Sequence, residues 1–401
     1  MRSTLSSRAG RVAVPTLRPR EALEHPGATL VDLRSPAEFA LDHVPGATNV
    51  PLFDDVERAL VGTLYRQASP DRAFEEGRVI ARTKIARFVG EVIGAVGADL
   101  DTADLEGRLE EFTARGIDHL ESSIACEPAT LLHRDPVIFH CWRGGLRSRS
   151  VVAFLRGLGL ERAHMIEGGY KAYRTEVASQ IAAWRPPPIV LVCGLTGVGK
   201  TLVLRELERL RPGWTLDLEG LAGHRSSLLG MVGLEPRSQK AFESALASRI
   251  RRGFEDRLVV EGESRKVGDV ILPSGIWRAM AGGVAVELTA PIERRVQVLE
   301  ADYLASERSR EQLFRQLPLV QQRMDLPADA PSLASLLESG RVDELVRLLL
   351  SRYYDPLYRR SEKGRRYATS IDASDPARAA EEIAAWIENA PRAVAPPEPR
   401  S

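Results

Sequence analysis

Gly194-Leu195-Thr196-Gly197-Val198-Gly199-Lys200-Thr201 reads G-x-x-x-x-G-K-[ST] between the apolar run IVLVC and the helix-forming LVLRELERL. Few strings of this length constrain a fold so tightly. A buried strand must enter the loop, a helix must leave it, and the glycines must let backbone N–H groups turn inward around phosphate oxygens. Lys200 adds a compact positive charge, and Thr201 can place its hydroxyl on Mg²⁺. Gly194, Thr196, Gly197, Gly199, Lys200 and Thr201 are therefore the candidate phosphate- or diphosphate-binding residues. Further strands at RLVVEGE and GVAVELTA, separated by helical segments, predict a P-loop NTPase-like parallel-sheet α/β domain, with a helix-rich region from Arg294 to Leu350. The motif calls for phosphate and does not name a nucleotide. On the later strand Glu261 and Glu263 stand where an Asp is commoner, as candidate Mg²⁺-associated groups, and no dedicated metal site is evident. Asp217, Glu219, His224 and Arg225 follow the second strand, at the edge where open parallel sheets bind ligands; a turn and helix cap is the competing reading.

A chain of 401 residues exceeds one ordinary core, and at roughly 150 residues per domain two domains are expected. Hydrophobic residues at 44% and charged residues at 27% exclude wholesale disorder. Because 55 Lys plus Arg balance 55 Asp plus Glu, an anionic partner must be met by a local patch. No run approaches the roughly 18 apolar residues of a membrane span, and MRSTLSSRAGRVAVP lacks a signal peptide's apolar core, so a cytoplasmic protein without membrane contact is expected. Residues 1–18 read as a flexible arm, 19–178 as one α/β domain, 179–188 as a Pro-rich linker stiffened by Pro186, Pro187 and Pro188, 189–390 as the P-loop domain, and 391–401 as a Pro-rich tail. Within the first domain, ATLVDLRSPAEFALDHVPGATNVPL predicts a strand, a short helix and a second strand. Residues 78–132 predict a helical insertion, and HMIEGGYKAY a final strand and turn.

Three cysteines, Cys126, Cys141 and Cys193, are too few for a disulfide framework or a zinc knuckle. Cys193 ends the buried strand as apolar filler, and Cys126 reads as structural. Cys141 differs, because His140-Cys141-Trp142-Arg143-Gly144-Gly145-Leu146-Arg147-Ser148 places a thiol between an apolar strand and a helix N-terminus. Loop amides, the helix dipole, Arg143 and Arg147 all favour the thiolate, and Gly144, Gly145 and Ser148 complete an anion cradle. Cysteine phosphatases and rhodanese-type sulfurtransferases share this design, and spacing does not separate them.

Upstream, Asp32-Leu33-Arg34-Ser35-Pro36-Ala37-Glu38-Phe39 and His43-Val44-Pro45-Gly46-Ala47 resemble the signature of rhodanese-like domains, in which Asp32, Arg34 and Glu38 would be structural. The whole text from about Leu30 to Ala368 resembles the tRNA 2-selenouridine synthase family: besides the two motifs it carries PLFDDVERALVGTLYRQ, CWRGGLRS, DLEGLAGHRSS, VVEGESRKVG and YYDPLYRRSEK. That resemblance implies a rhodanese-like α/β domain with a helical insertion joined to the P-loop domain. It implies a transferase that acts on the wobble 2-thiouridine of tRNA, with geranyl diphosphate and then selenophosphate as co-substrates, and with Mg²⁺. The phosphate loop would hold the diphosphate, while Cys141, Arg143 and Arg147 handle the selenium donor. RNA contacts are expected from Arg143 to Arg156, and from Arg352 to Tyr367, where rings alternate with arginines suited to stacking and phosphate contact. Two other readings stand beside it: a P-loop NTPase or kinase fused to a sulfurtransferase or cysteine phosphatase domain, and an RNA-binding module with an inactive thiol loop.

Overall fold

Parallel strands are buried on both faces and need covering helices, and both halves of this chain meet that need separately. The computed structural model describes residues 12–129, 133–327, 330–362 and 364–389, and the chain divides into two compact units, Met1–Ser179 and Gln180–Ser401.

The first unit holds β1 (Val12–Leu17), β2 (Thr29–Asp32), β3 (Thr48–Asn49), β4 (Ile124–Pro128), β5 (Val137–His140) and β6 (Ala163–Ile166). Their order is β3-β2-β5-β6-β1-β4, with every pairing parallel. All residues of β5 and β6 are buried. Val14, Val31, Phe139 and Leu155 share one core with Ile85, Phe88, Val89 and Val92 of the helix Pro70–Val96. The helix Pro36–Leu41 starts where its sequence dictates: Pro36 occupies the first turn, and the Ser35 N–H donates to the Glu38 carboxylate at 3.3 Å.

Three expectations for this unit are corrected. Residues 12–17, assigned to a flexible arm, form β1 between β6 and β4, because VAVPTL is apolar enough to join the sheet; residues 1–11 of that arm lie outside the described residues. The helical insertion begins at Asp55, capped by Asp54, and ends at Ser123, after which Ile124–Pro128 pairs with β1 as a strand. The strand and turn expected in HMIEGGYKAY are present, the turn at Glu167 and Gly168, and a helix that was not expected, Gly169–Ala183, follows them. The expected linker is accordingly helical through Ala183, since the prolines that end the helix begin only at Pro186.

The second unit holds β7 (Ile189–Cys193), β8 (Thr215–Leu216), β9 (Leu258–Glu261), β10 (Lys266–Val267), β11 (Val270–Ile271), β12 (Val284–Thr289) and β13 (Thr369–Asp372). The order β13-β12-β7-β9-β8 is parallel throughout, and β10 and β11 make a separate antiparallel hairpin. From the central β7 the chain first builds β8 and β9 on one side, then β12 and β13 on the other. That reversal opens a crevice at the carboxyl end of β7, the place where such sheets bind ligands. The helices Ile292–Tyr303, Glu307–Gln321 and Val342–Leu348 and the π-turn Leu349–Tyr354 enclose a core of their own, including Val296, Leu299, Leu313, Leu345 and Leu350. The expected Pro-rich tail, 391–401, lies outside the described residues.

Candidate functional site

The phosphate loop leaves β7 at the crevice. Gly194 (φ 145°) lies so close to the Leu288 carbonyl of β12 that a side chain would collide with it, and a Cβ on Gly197 (φ 84°) would come within 2.9 Å of the Arg295 carbonyl. Glycine is required at both positions by close backbone approach as well as by conformation. Lys200 opens the helix Lys200–Leu210, and its Nζ donates to the Gly194 carbonyl at 3.1 Å. Two groups that the motif does not announce hold the loop. The Arg295 Nε donates to the Thr196 carbonyl at 2.9 Å, while its other nitrogens donate to both carboxylate oxygens of Asp355 at 3.1 and 2.5 Å. Gly194 N–H donates to the Tyr358 hydroxyl at 2.5 Å.

Thr196, Gly197, Gly199, Lys200 and Thr201 line a cavity of about 560 Å³. Of the second-strand candidates, Glu219 and Arg225 reach it and Asp217 and His224 are not among its lining residues. Asp217 instead caps the helix Leu218–Ala222, accepting from Gly220 N–H at 2.6 Å. His224 packs against Gly268, with its Nδ1 buried and unpartnered. Glu219 accepts from the Thr201 hydroxyl at 3.4 Å, and burial, reinforced by the charge of Glu263, pushes its carboxyl up to about 8. Glu263 lines the cavity, whereas Glu261 is fully buried and accepts from Leu218 N–H at 3.1 Å. Burial and the nearby Asp217 and Glu219 charges push Glu261 well above the carboxylate range, so it organises the helix that carries Glu219. Among the described residues no three His, Cys, Asp or Glu side chains cluster as a metal cage. Cys193 is buried, its thiol pushed up to about 11 by burial, as apolar filler requires.

Val298, Leu299, Tyr303, Tyr353, Tyr354 and Leu357 give the cavity an apolar and aromatic part of its wall, with Leu299 packed against Gly197 of the loop, while Arg205, Asp302, Glu362 and Arg365 line it as well. The π-turn places Tyr353 and Tyr354 there, and the Tyr303 and Tyr354 hydroxyls lie 2.5 Å apart. This alters the expectation for residues 352–367: Tyr353 and Tyr354 are buried and Tyr358 half-buried, all three lining the cavity, while the half-buried Tyr367 packs against the core that includes Leu191 and Leu216, so these rings offer little stacking surface. The helical pattern alone could not say which face of YYDPLYRR turned inward.

In the first unit, Cys141 follows β5 and is buried, with its Sγ 3.2 Å from the Ser148 hydroxyl, which itself donates to the Gly145 carbonyl at 3.3 Å. Gly144 (φ 64°) packs so tightly that an added Cβ would sit 2.9 Å from Gly168 N. Tyr170 and Lys171 N–H groups donate to the Cys141 and Trp142 carbonyls at 2.9 Å, pinning the loop to the start of the helix Gly169–Ala183. Arg143 is exposed; Arg147 is half-buried, its guanidinium 5.5 Å from the Phe53 ring and its Nη1 buried without a partner. Further along the same helix, Arg149 pairs with Glu121 at 3.6 Å and Arg156 donates to the Ala163 carbonyl at 3.2 Å. Only part of the expected basic stretch Arg143 to Arg156 is thus uncommitted. Beneath the loop, Arg34 pairs with Asp32 at 2.6 Å and donates to the Asp42 carbonyl at 2.8 Å, while the Tyr170 hydroxyl donates to the Asp42 carboxylate at 2.7 Å. Asp32 and Arg34 are scaffold.

His140 is fully buried beside them, and burial lowers its imidazole to about 4 against the opposing pull of Asp32. The unfolded chain binds that proton near pH 6.5, so the first unit should lose stability as pH falls from about 6.5 to about 4. The loss is at most about 3 kcal/mol. Hydrogen exchange of β5 amides across this range should show the loss, and His140→Leu should flatten it; an unchanged pH slope in the variant would assign the effect to other groups.

Residues 187–325 match the family model described as the tRNA 2-selenouridine synthase AAA domain. Over 373 residues the chain is 30% identical to the tRNA 2-selenouridine synthase of Chromohalobacter salexigens, covering 87% of this chain and 91% of that protein. It is 32% identical over 377 residues to that of Bordetella petrii, with 86% and 90% covered, and 33% identical over 281 residues to that of Pseudomonas syringae pv. tomato, with 69% and 66% covered.

Proposed function

Since the chain belongs to the tRNA 2-selenouridine synthase family, we propose that it exchanges the sulfur of wobble 2-thiouridine in tRNA for selenium in two steps. In the first, the sulfur attacks C1 of geranyl diphosphate: an S–C bond forms, the C–O bond to diphosphate breaks, and the uracil N3 proton is lost. In the second, selenium from selenophosphate bonds to C2 as the C2–S bond breaks and geranylthiol leaves, while water takes up the phosphoryl group. Both steps are assigned to the cytoplasm.

The single observation that carries this reading is the second unit's cavity, lined both by a phosphate loop and by the apolar side chains of Val298, Leu299 and Leu357. A prenyl diphosphate has that division of polarity, and a departing diphosphate needs charge neutralisation more than a base. Gly194, Thr196, Gly197, Gly199, Lys200 and Thr201 are assigned to the diphosphate. Mg²⁺ characteristically takes one or two carboxylates plus substrate phosphates, and Glu219, which accepts from the Thr201 hydroxyl, lines the cavity together with Glu263. Thr201 and Glu219 would hold that ion, and it would supply further neutralisation of the leaving group. In the first unit we assign a rhodanese-like role to the thiol loop: Cys141, Arg143 and Arg147, with Gly144, Gly145 and Ser148, receive the selenium donor, whose phosphoryl oxygens match the partnerless Arg147 Nη1.

Purified protein incubated with 2-thiouridine tRNA, geranyl diphosphate, selenophosphate and Mg²⁺, without nucleoside triphosphate, should yield S-geranylated and then selenium-bearing uridine by nucleoside mass spectrometry. Unchanged tRNA, together with triphosphate turnover that Lys200→Ala abolishes, would instead make the chain a nucleotide-using enzyme.

A further inference from the structure

The segment from Leu349 to Tyr367 contains only two acids in the described residues, Asp355 and Glu362, and both are committed. Asp355 is held by Arg295 at 2.5 Å, and Glu362 by Arg365 and by the Tyr367 hydroxyl. Arg352, Arg359, Arg360 and Arg366 are all exposed, and among the described residues no acidic side chain pairs with any of them. The neighbouring Tyr353, Tyr354, Leu357 and Tyr358 line the cavity, and Leu357, 48% exposed, stands at its mouth. One short stretch therefore turns its rings toward the cavity and four unneutralised guanidinium groups toward water. Exposed arginines in folded proteins usually find partners or lie scattered among acids; here four without an acidic partner fall in one segment, interleaved with residues that line the cavity, in a chain with no net charge.

We propose that Arg352, Arg359, Arg360 and Arg366 form the docking face for the tRNA sugar-phosphate backbone beside the cavity mouth, so that a base can be presented to the phosphate-loop ligand. This rests on the reading of the chain as a tRNA-modifying enzyme. Polyanionic RNA is the occupant that uniform unpaired arginine selects. Binding by this face is electrostatic and indifferent to sequence, whereas base choice is made elsewhere.

The test uses the full chain and a fluorescently labelled 2-thiouridine tRNA titrated over a range of KCl concentrations. If all four arginines contact phosphate, the R352Q/R359Q/R360Q/R366Q variant will show a slope of log K against log salt shallower by about 3, and binding about 10- to 100-fold weaker at about 0.15 M salt. A variant with lysine at the same four positions will keep the wild-type slope, and both will bind geranyl diphosphate as wild type does by calorimetry. Unaltered tRNA binding by the glutamine variant, with wild type binding normally, overturns the docking face alone. Lost geranyl diphosphate binding in the glutamine variant also overturns it, since the arginines would then serve the cavity. If wild type shows no salt-dependent tRNA binding at all, the tRNA reading itself falls with the face.

Discussion

Lys200→Ala is expected to lower geranyl transfer by about 10²- to 10³-fold in kcat, the scale on which one preorganised charge at a developing anion acts. The Nζ donates to the Gly194 carbonyl at 3.1 Å, which places its charge within the loop that would receive the ligand. Removing it leaves the fold intact, because the helix Lys200–Leu210 buries Val203, Leu204 and Leu207 and not the lysine. Affinity for tRNA should stay the same, and selenium exchange on tRNA supplied already S-geranylated should proceed. A rate of geranyl transfer equal to wild type would remove the phosphate loop from the chemistry. Loss of exchange on the pre-geranylated substrate would show that the two steps share one anion site.

Cys141→Ala should have the opposite signature. Selenium incorporation should fall by about 10³-fold or more, as when a group held against the reacting atoms is deleted, while S-geranylated tRNA accumulates. Ser148→Ala, which removes the hydroxyl 3.2 Å from the thiol, should cost about tenfold, the upper end of the net worth of one hydrogen bond. Equal loss of both steps in Cys141→Ala would contradict the separation of roles, and nucleoside mass spectrometry distinguishes the outcomes in one experiment.

Both glycine-containing loops were legible in the sequence because each is a local device: a strand, a run of glycines and a helix start, written in consecutive residues. Parallel sheets were legible for the same reason, from apolar runs such as IVLVC and VIFH. What escaped was decided by contacts distant in sequence. Residues 12–17 look too short and too basic in context to matter until β4 and β6 pair with them. Arg295 and Asp355 are unremarkable in a helix-rich text, yet across 60 residues they make the buried pair that holds Thr196. Glu261 and Glu219 lie near one another in the fold, and only burial shows which faces Leu218 and which the cavity.

The helix Asp355–Ser361 has its own consequence. From one side Asp355, through Arg295, and Tyr358 hold the phosphate loop; on the other, Arg359 and Arg360 face water. A polyanion seated on those arginines and a diphosphate seated in the loop would therefore both bear on this one helix. Thermodynamic linkage makes such an influence reciprocal: whatever factor tRNA imposes on diphosphate affinity, the diphosphate must impose on tRNA affinity. Order of addition would then govern only the path to the ternary complex, and a product diphosphate leaving the loop would change the hold on tRNA by that same factor.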